Sequence, residues 1–234
     1  MNREYHCWWS HDLQRDMEML VFGHNGTKVL VFPTSMGRFF EYEDNQMVDT
    51  LGDRIEGGNL QLFCVDSVDG ESWYNKGAHP YWRAERHLQY ERYILNDVLP
   101  LIWRKNSSPR LTTTGCSFGG YQALNFAFRH PDKVTGCVTM GAAFDIRSFL
   151  DGWSSDDVYF NNPPDYLANC TDGWRFNHIR TVLATGEWDI CLGDNHRMAD
   201  IMGSRGIRHE LYVWGDHSKH DWPCWRPMAR TYLE

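Results

Sequence analysis

The sequence lacks the features that would assign it to a membrane, a secretory route or nucleic acids. No apolar run approaches the roughly 20 residues of a membrane helix, and Met1–His6 has none of the apolar core of a signal peptide. The 234 residues carry a formal charge of −8 without any block of lysine or arginine, which excludes the basic surface typical of nucleic-acid binding. We therefore expect a cytoplasmic protein whose partner is a small molecule, not a membrane or a nucleic acid.

Paired cysteines and internal repeats are also missing. The seven cysteines are odd in number and scattered, and four of them lie in apolar, strand-like runs: Cys7, Cys64, Cys116 and Cys137. We expect reduced, buried thiols, as in proteins of a reducing compartment. No repeat, low-complexity segment or linker divides the chain, so its length suits a single domain over residues 1–234. The oligomeric state stays open, and a homo-oligomer is compatible with the sequence.

Strand-like and helix-like segments alternate along the chain. Two antiparallel strands are expected first, over Tyr5–Ser10 and Met17–Gly23. Buried, β-branched runs predict further strands over 28–33, 60–66, 110–116, 134–141, 181–185 and 209–214. Helical patterns predict helices near 47–55, from 80 with a break at Pro100, over 118–129, near 193–204 and from about 222. This alternation predicts an α/β fold, with a mostly parallel central sheet, helices on both faces and antiparallel N-terminal strands.

The segment Gly115-Cys116-Ser117-Phe118-Gly119 is the most informative motif. It has the pattern G-x-S-x-G between a predicted strand and a predicted helix, which is the setting of a nucleophile elbow. The two glycines are needed because a Cβ at either place would collide with neighbouring backbone. The turn would present the Ser117 hydroxyl above the sheet and direct the Phe118 N–H to a developing oxyanion. Strand alternation turns Cys116 away, so we expect it to pack in the sheet.

A serine hydroxyl becomes a strong nucleophile only when a base accepts its proton. In this kind of sheet the partners follow in the order serine, acid, histidine. Asp189 follows one predicted strand, and His220 lies in the loop after the next strand. Because the carboxyl ends of parallel strands meet at one edge of a sheet, these loops are expected to converge there.

The residues alone leave other assignments open. His217 is a rival for the base, and Asp216, His217 and His220 together could instead hold a metal ion. Asp194 and Asp145 are rivals for the acid. Asp194 would otherwise cap the helix that follows it, and Asp145 would cap the next turn.

Four motifs together resemble an esterase family of the α/β-hydrolases. This family includes esterase D, S-formylglutathione hydrolases, feruloyl esterases, enterochelin esterases and the antigen 85 mycolyltransferases. The resemblance covers most of the chain and rests on Gly115–Gly120, Phe128–Asp132, Gly186–Asp189 and His220–Trp225. It implies an α/β-hydrolase fold with Ser117 as the nucleophile, Asp189 as the acid and His220 as the base.

The resemblance also implies a second oxyanion donor, besides the N–H of Phe118. It would come from the loop after the third strand, near Ser35. Family members usually carry His-Gly or Asp-Gly there, whereas this chain has Pro33-Thr34. The Ser35 donor is therefore a weaker expectation than the Phe118 donor.

The surroundings of the site are predicted only in outline. Aromatic residues make up 15% of the chain, which suits a pocket for a short acyl or aryl group. Ser67, Trp153 and Trp188 are the candidate substrate-binding residues. The long segment over about 144–178 breaks the strand–helix alternation, and segments of this length are uncommon unless functional. We expect it to be an insertion over the active-site edge.

The sequence thus predicts a serine carboxylic-ester hydrolase that acts through an acyl-enzyme on a small ester. This chemistry requires neither a metal nor an organic cofactor. An acyltransferase or a thioesterase would use the same three residues. A non-catalytic binding protein with this fold is a further alternative.

Overall fold

A single eight-stranded sheet organises the protein in the computed structural model, which describes residues 1–234. The strands are β1 (Arg3–Ser10), β2 (Arg15–Phe22), β3 (Thr27–Phe32), β4 (Leu60–Val65), β5 (Leu111–Cys116), β6 (Gly136–Met140), β7 (Arg180–Trp188) and β8 (Glu210–Lys219). Their order across the sheet is β1-β2-β4-β3-β5-β6-β7-β8. β2 pairs antiparallel with β1 and β4, and all other neighbours are parallel. The predicted sheet and its antiparallel N-terminal strands are confirmed.

Ten α-helices and three shorter helical segments connect the strands. The helices are α1 (Glu41–Asp44), α2 (Met47–Thr50), α3 (Gly52–Glu56), α4 (Pro80–Tyr93), α5 (Leu99–Lys105), α6 (Phe118–Arg129), α7 (Asp156–Tyr159), α8 (Pro163–Tyr166), α9 (Leu192–Ser204) and α10 (Trp222–Tyr232). A π-helical segment spans Ile94–Val98, and 3₁₀ turns span Arg147–Phe149 and Gly173–Phe176. None of the helices has the length and apolar character needed to cross a bilayer.

The sheet is covered by helices on both faces, as the alternation of elements predicts. On one face, apolar side chains of β3 and β5 pack with those of α4, α5, α6 and α9. On the other face, the sheet packs against α1, α2, α3 and α10. Burial of both faces explains why the central strands consist of almost continuous apolar or β-branched residues.

Helix α6 lies unusually close to the sheet, and this places the turn before it. A Cβ at Gly119 would approach the carbonyl oxygens of Phe32 and Pro33 at 2.4 and 2.5 Å. Only glycine fits at such a distance. The start of α6 is therefore held directly against the end of β3.

Four predicted elements differ from the observed ones. The helix expected near 47–55 is two short helices, α2 and α3, which meet at Leu51. The break expected at Pro100 is the π-helical segment, which ends at Val98, two residues before the proline. It forms there because proline has no N–H to donate to the preceding turn. β7 and β8 extend beyond their predicted ends, since pairing resumes between Trp188 and Lys219 after an irregularity in β7.

The segment over 144–178 lies between β6 and β7 and contains α7, α8 and both 3₁₀ turns. Part of it packs beside the N-terminus of α6. The ring centroid of Phe149 lies 5.6 Å from that of Phe118 and 4.8 Å from that of Tyr74. That this segment is an insertion covering the active-site edge stays a prediction.

Candidate active site

Ser117 sits at the sharp turn between β5 and α6. Its backbone has φ 54° and ψ −122°, a combination that L-residues adopt only when the surrounding structure imposes it. The Ser117 N–H donates to the Met140 carbonyl on the neighbouring strand at 2.9 Å. A Cβ at Gly115 would lie 2.2 Å from the carbonyl carbon of Gly119. Both glycines of the motif are thus required by close backbone contact.

A hydrogen-bonded chain connects three residues from the ends of three strands. Ser117 Oγ lies 2.9 Å from His220 Nε2, and His220 Nδ1 lies 2.8 Å from Asp189 Oδ1. His220 directly follows β8, and Asp189 directly follows β7. In the tautomer with hydrogen on Nδ1, His220 donates to Asp189 and leaves Nε2 free to accept from the Ser117 hydroxyl.

The Asp189 end of this series of hydrogen bonds is buried and held by several contacts. The Asp189 side chain is fully buried, and its Oδ1 also accepts the backbone N–H of Cys191 at 2.7 Å. The His220 ring packs edge-on against Trp225, with 4.9 Å between the ring centroids. Gly141 lies beside the Asp189 carboxylate, where a Cβ would be only 2.4 Å from Oδ2. These contacts fix the orientation of the carboxylate and the imidazole.

The Phe118 N–H, at the first residue of α6, has no acceptor in the protein. The same is true of the Ser35 N–H, in the loop after β3. The Ser35 hydroxyl accepts a hydrogen bond from Tyr74 Oη at 2.7 Å. The Ser67 hydroxyl donates to the carbonyl of Gly37 in the same loop at 2.8 Å. Ser67 thus holds this loop, and its contact with substrate stays a prediction.

Comparisons with known proteins identify the fold. A family model described as alpha/beta hydrolase fold matches residues 83–171, a range that includes Ser117 but neither Asp189 nor His220. A ferulic acid esterase superimposes on the chain with a TM-score of 0.80 and 15% sequence identity, covering 99% of this chain and 96% of that one. The chain has the α/β-hydrolase fold.

Other solved structures with this fold agree over nearly the whole chain. An S-formylglutathione hydrolase from Agrobacterium tumefaciens has a TM-score of 0.77 and 14% identity, covering 99% of this chain and 92% of that one. MPT51 of Mycobacterium tuberculosis has a TM-score of 0.71 and 15% identity, covering 99% and 96%. No curated protein matches the chain in sequence. The resemblance predicted from the motifs is confirmed at the level of the fold.

The rival histidine, His217, has partners other than Ser117. Its ring lies tilted against Trp188 at 3.9 Å between centroids, and its backbone N–H donates to Glu187 at 2.7 Å. The donor atoms close to His220 are instead those of Asp189 and Cys191, within 4.8 Å of one another. Since His220 Nδ1 and Asp189 Oδ1 are already joined by a hydrogen bond, we interpret this group as part of the hydrogen-bonded chain.

The alternative acids have other partners. Asp145 accepts the backbone N–H of Arg147 at 3.0 Å, as expected of a capping residue, and pairs with Arg197 at 2.9 Å. The expectation that Asp194 caps a helix beginning after it is wrong, because α9 begins at Leu192 and Asp194 lies within its first turn. Burial raises the pKa of Asp194 above its ordinary value.

The thiol and tryptophan candidates occupy different environments. Cys116 is fully buried in the sheet core, as expected, and burial raises the pKa of its thiol. Trp188 is 55% exposed, and the Lys219 ammonium lies 5.8 Å from its ring. Trp153 packs edge-on against His79 and Tyr81. A role of either tryptophan in substrate binding stays a prediction.

Two carboxylates beside the Ser35 loop were not identified from the sequence, Asp69, which is buried, and Glu41, which is half-buried. Glu41 accepts the backbone N–H of Thr34 at 2.8 Å, and burial raises its pKa. Asp69 accepts the backbone N–H of Met36 at 3.2 Å, and burial raises its pKa to about 7. The available sequence signal was only that Asp69 lies in a loop following a strand. Acidic residues in such loops are common, so the pattern is not specific.

Proposed function

We propose that the protein is a serine carboxylic-ester hydrolase with a catalytic triad of Ser117, His220 and Asp189. The observation that carries this proposal is the hydrogen-bonded chain from Ser117 Oγ through the imidazole to the buried carboxylate, with contacts of 2.9 and 2.8 Å. The strained turn at Ser117 supports the same assignment, since strain of this kind is concentrated at functional sites.

The proposed reaction proceeds through an acyl-enzyme. His220 Nε2 accepts the Ser117 hydroxyl proton while Oγ attacks the ester carbonyl carbon. Asp189 holds the imidazole and stabilises the imidazolium that forms. Collapse of the tetrahedral intermediate breaks the bond to the alcohol oxygen, which takes the proton from His220. Water then attacks the acyl-enzyme with His220 again as the base, which releases the acid and restores Ser117.

The free N–H groups of Phe118 and Ser35 are the proposed oxyanion donors. Neither has an acceptor within the protein, so both are available to a developing negative charge. Losing one such donor typically raises the barrier by about 3 kcal/mol. Since Ser35 would contribute its backbone N–H, the Pro33-Thr34 sequence before it does not remove the donor.

A small acyl or aryl ester is the proposed substrate. The residue after the nucleophile, Phe118, contacts the rings of Tyr74 and Phe149 at centroid distances of 5.3 and 5.6 Å. These rings would place apolar surface beside the reacting ester. A similar structure is named a ferulic acid esterase, which supports an aryl ester among the first substrates to test.

The cytoplasm is the proposed location. All seven cysteines are free thiols, three of them at least partly accessible: Cys7, Cys170 and Cys224. Free thiols persist where the surroundings are reducing.

The test is labelling by a fluorophosphonate probe, followed by peptide mapping. We expect the probe to attach to Ser117, and Ser117→Ala to lose both labelling and hydrolysis of short p-nitrophenyl esters. Ser204→Ala, which changes a serine at the exposed end of α9, is the matched control. A folded Ser117→Ala protein that hydrolyses the esters at the wild-type rate would refute the proposal. Product analysis with an added alcohol then distinguishes hydrolysis from acyl transfer.

A further inference from the structure

The loop that carries Ser35 is held on both sides by carboxylates. The residue before it, Thr34, donates its backbone N–H to Glu41 at 2.8 Å. The residue after it, Met36, donates its backbone N–H to Asp69 at 3.2 Å. Between them, the Ser35 N–H is the one that has no acceptor. The loop is thus anchored at its neighbouring peptides while this donor is left free.

Asp69 also reaches the other side of the site. It lies in the loop after β4 and is almost completely buried. Its second carboxylate oxygen accepts from Gln122 Nε2 at 3.3 Å. Gln122 is on α6, one helical turn after Phe118. One carboxylate therefore connects the loop that carries the Ser35 N–H to the helix that begins with the Phe118 N–H.

A purely structural role does not account for a carboxylate at this place. Asp69 forms no salt bridge, and Arg38, two residues after Met36, pairs with Asp66 and Glu18. Burying a charged carboxylate without a counter-ion lowers the stability of the folded protein. The neighbouring charges of Glu41 and Asp66 add to that cost, since like charges repel. What the Asp69 side chain offers in return is two polar atoms, one bound to the Met36 N–H and the other to the Gln122 amide.

We propose that Asp69 is a positioning residue of the oxyanion hole. By binding the Met36 N–H and the Gln122 amide together, it fixes the Ser35 N–H at the distance from the Phe118 N–H that one oxyanion requires. This inference rests on the proposed function. It adds a residue that touches neither substrate nor triad and acts through the loop it holds.

The test compares Asp69→Ala with Asp69→Asn. Alanine removes both hydrogen bonds, whereas asparagine keeps an acceptor for Met36 and can donate to a reoriented Gln122 amide. We expect Asp69→Ala to slow both kcat and fluorophosphonate labelling of Ser117 by about 10- to 100-fold, within the loss caused by removing one oxyanion donor. KM should stay within about two-fold, because this interaction is made in the transition state. Asp69→Asn should recover most of the labelling rate.

Asn106→Ala is the matched control for loss of a buried polar side chain. Asn106 is buried at the opposite end of the sheet, where its amide donates to Gly26 and Gln61. This variant should lower the unfolding temperature without changing the labelling rate. All rates are measured at a temperature where each variant is folded by circular dichroism.

The outcomes separate the inference from the proposed function. If the wild-type protein is not labelled at Ser117, the proposed function is refuted and this inference with it. If the wild-type protein is labelled and folded Asp69→Ala reacts at the same rate, only this inference is refuted. If Asp69→Ala does not fold, Gln122→Met removes the link to α6 while keeping side-chain volume. A wild-type labelling rate in Gln122→Met would then overturn the inference.

Discussion

The substitution Gly141→Ala is expected to disable the proposed active site without changing any residue of the proposed triad. Gly141 follows β6 with φ +54°, and an added Cβ would lie 2.4 Å from Asp189 Oδ2. The same Cβ would lie 2.9 Å from Trp225 Nε1 and 3.2 Å from His220 Nδ1. Contacts under 3.0 Å are not tolerated, so the carboxylate must move by roughly half an ångström or more. Such a shift breaks the alignment of Asp189 with His220.

The expected magnitude follows from two separate effects. A left-handed backbone with a Cβ costs about 1–2 kcal/mol of stability, which lowers the melting temperature of a protein of this size by about 2–8 °C. Loss of a correctly oriented triad carboxylate costs up to about 10⁴-fold in kcat. Since Gly141→Ala displaces Asp189 without removing it, we expect kcat to fall by about 10²- to 10⁴-fold.

Gly206→Ala is the control that separates the effect of backbone strain from the effect of displacing Asp189. Gly206 has a similar φ of +67°, but a Cβ there has no atom within 4 Å. Both variants should lose similar stability in thermal unfolding, and only Gly141→Ala should lose activity in an initial-rate assay with a p-nitrophenyl ester. A folded Gly141→Ala protein with wild-type kcat would show that Asp189 does not orient His220.

Two further predictions concern pH. Burial raises the pKa of Asp69 from 3.8 to about 7, so its ionisation costs stability as the pH rises through that window. The free energy of unfolding of Asp69→Asn, measured with urea, should therefore exceed that of the wild type by up to about 4 kcal/mol at pH 8 and by nothing near pH 4. An equal gain at pH 8 and pH 4 would contradict a raised pKa of Asp69. Burial raises the pKa of Glu91, but hydrogen bonds from His130 and Arg129 outweigh it and leave the pKa at about 2, below the ordinary 4.5. Glu91→Gln should accordingly lower the free energy of unfolding by about 3 kcal/mol at pH 7, and this difference from the wild type should disappear as the pH falls from 4.5 to 2. A difference that stays constant with pH would show that it does not come from the ionisation of Glu91.

The turn at Ser117 was predictable because its motif is local. Gly115 is needed by a backbone contact with Gly119, four residues later, and the flanking apolar strand and helix are visible as patterns. Gly119 belongs to the same motif, although the backbone it contacts, at Phe32 and Pro33, is distant in sequence. Asp189 and His220 were predictable for a different reason. Each directly follows a strand, and parallel strands bring their carboxyl ends to one edge. The sequence order therefore already limits which side chains can meet.

The residues that hold Ser117, His220 and Asp189 in place were not predictable in the same way. Gly141 lies against Asp189 and Trp225 packs against His220, and no sequence pattern indicates that their atoms meet. Asp69 and Gln122 are likewise joined only by the tertiary fold. The Asp194 error has a local cause. Predicted helix ends are uncertain by a few residues, and a cap assignment depends on the end residue itself.

Backbone strain at the sheet edge distinguishes this site from an ordinary glycine-rich turn. Five residues there have left-handed φ values between 54° and 62°: Met36, Ser117, Gly141, Asp216 and His217. Four of them carry a Cβ, and each such residue costs of order 1–3 kcal/mol. The same edge holds two buried polar atoms without a hydrogen-bond partner, Asp189 Oδ2 and Trp225 Nε1. A turn that served only to connect β5 to α6 could relieve its strain by placing glycine at position 117. The chain instead keeps serine at that strained position and aligns His220 and Asp189 with it, which supports the proposed chemistry at the Ser117 hydroxyl.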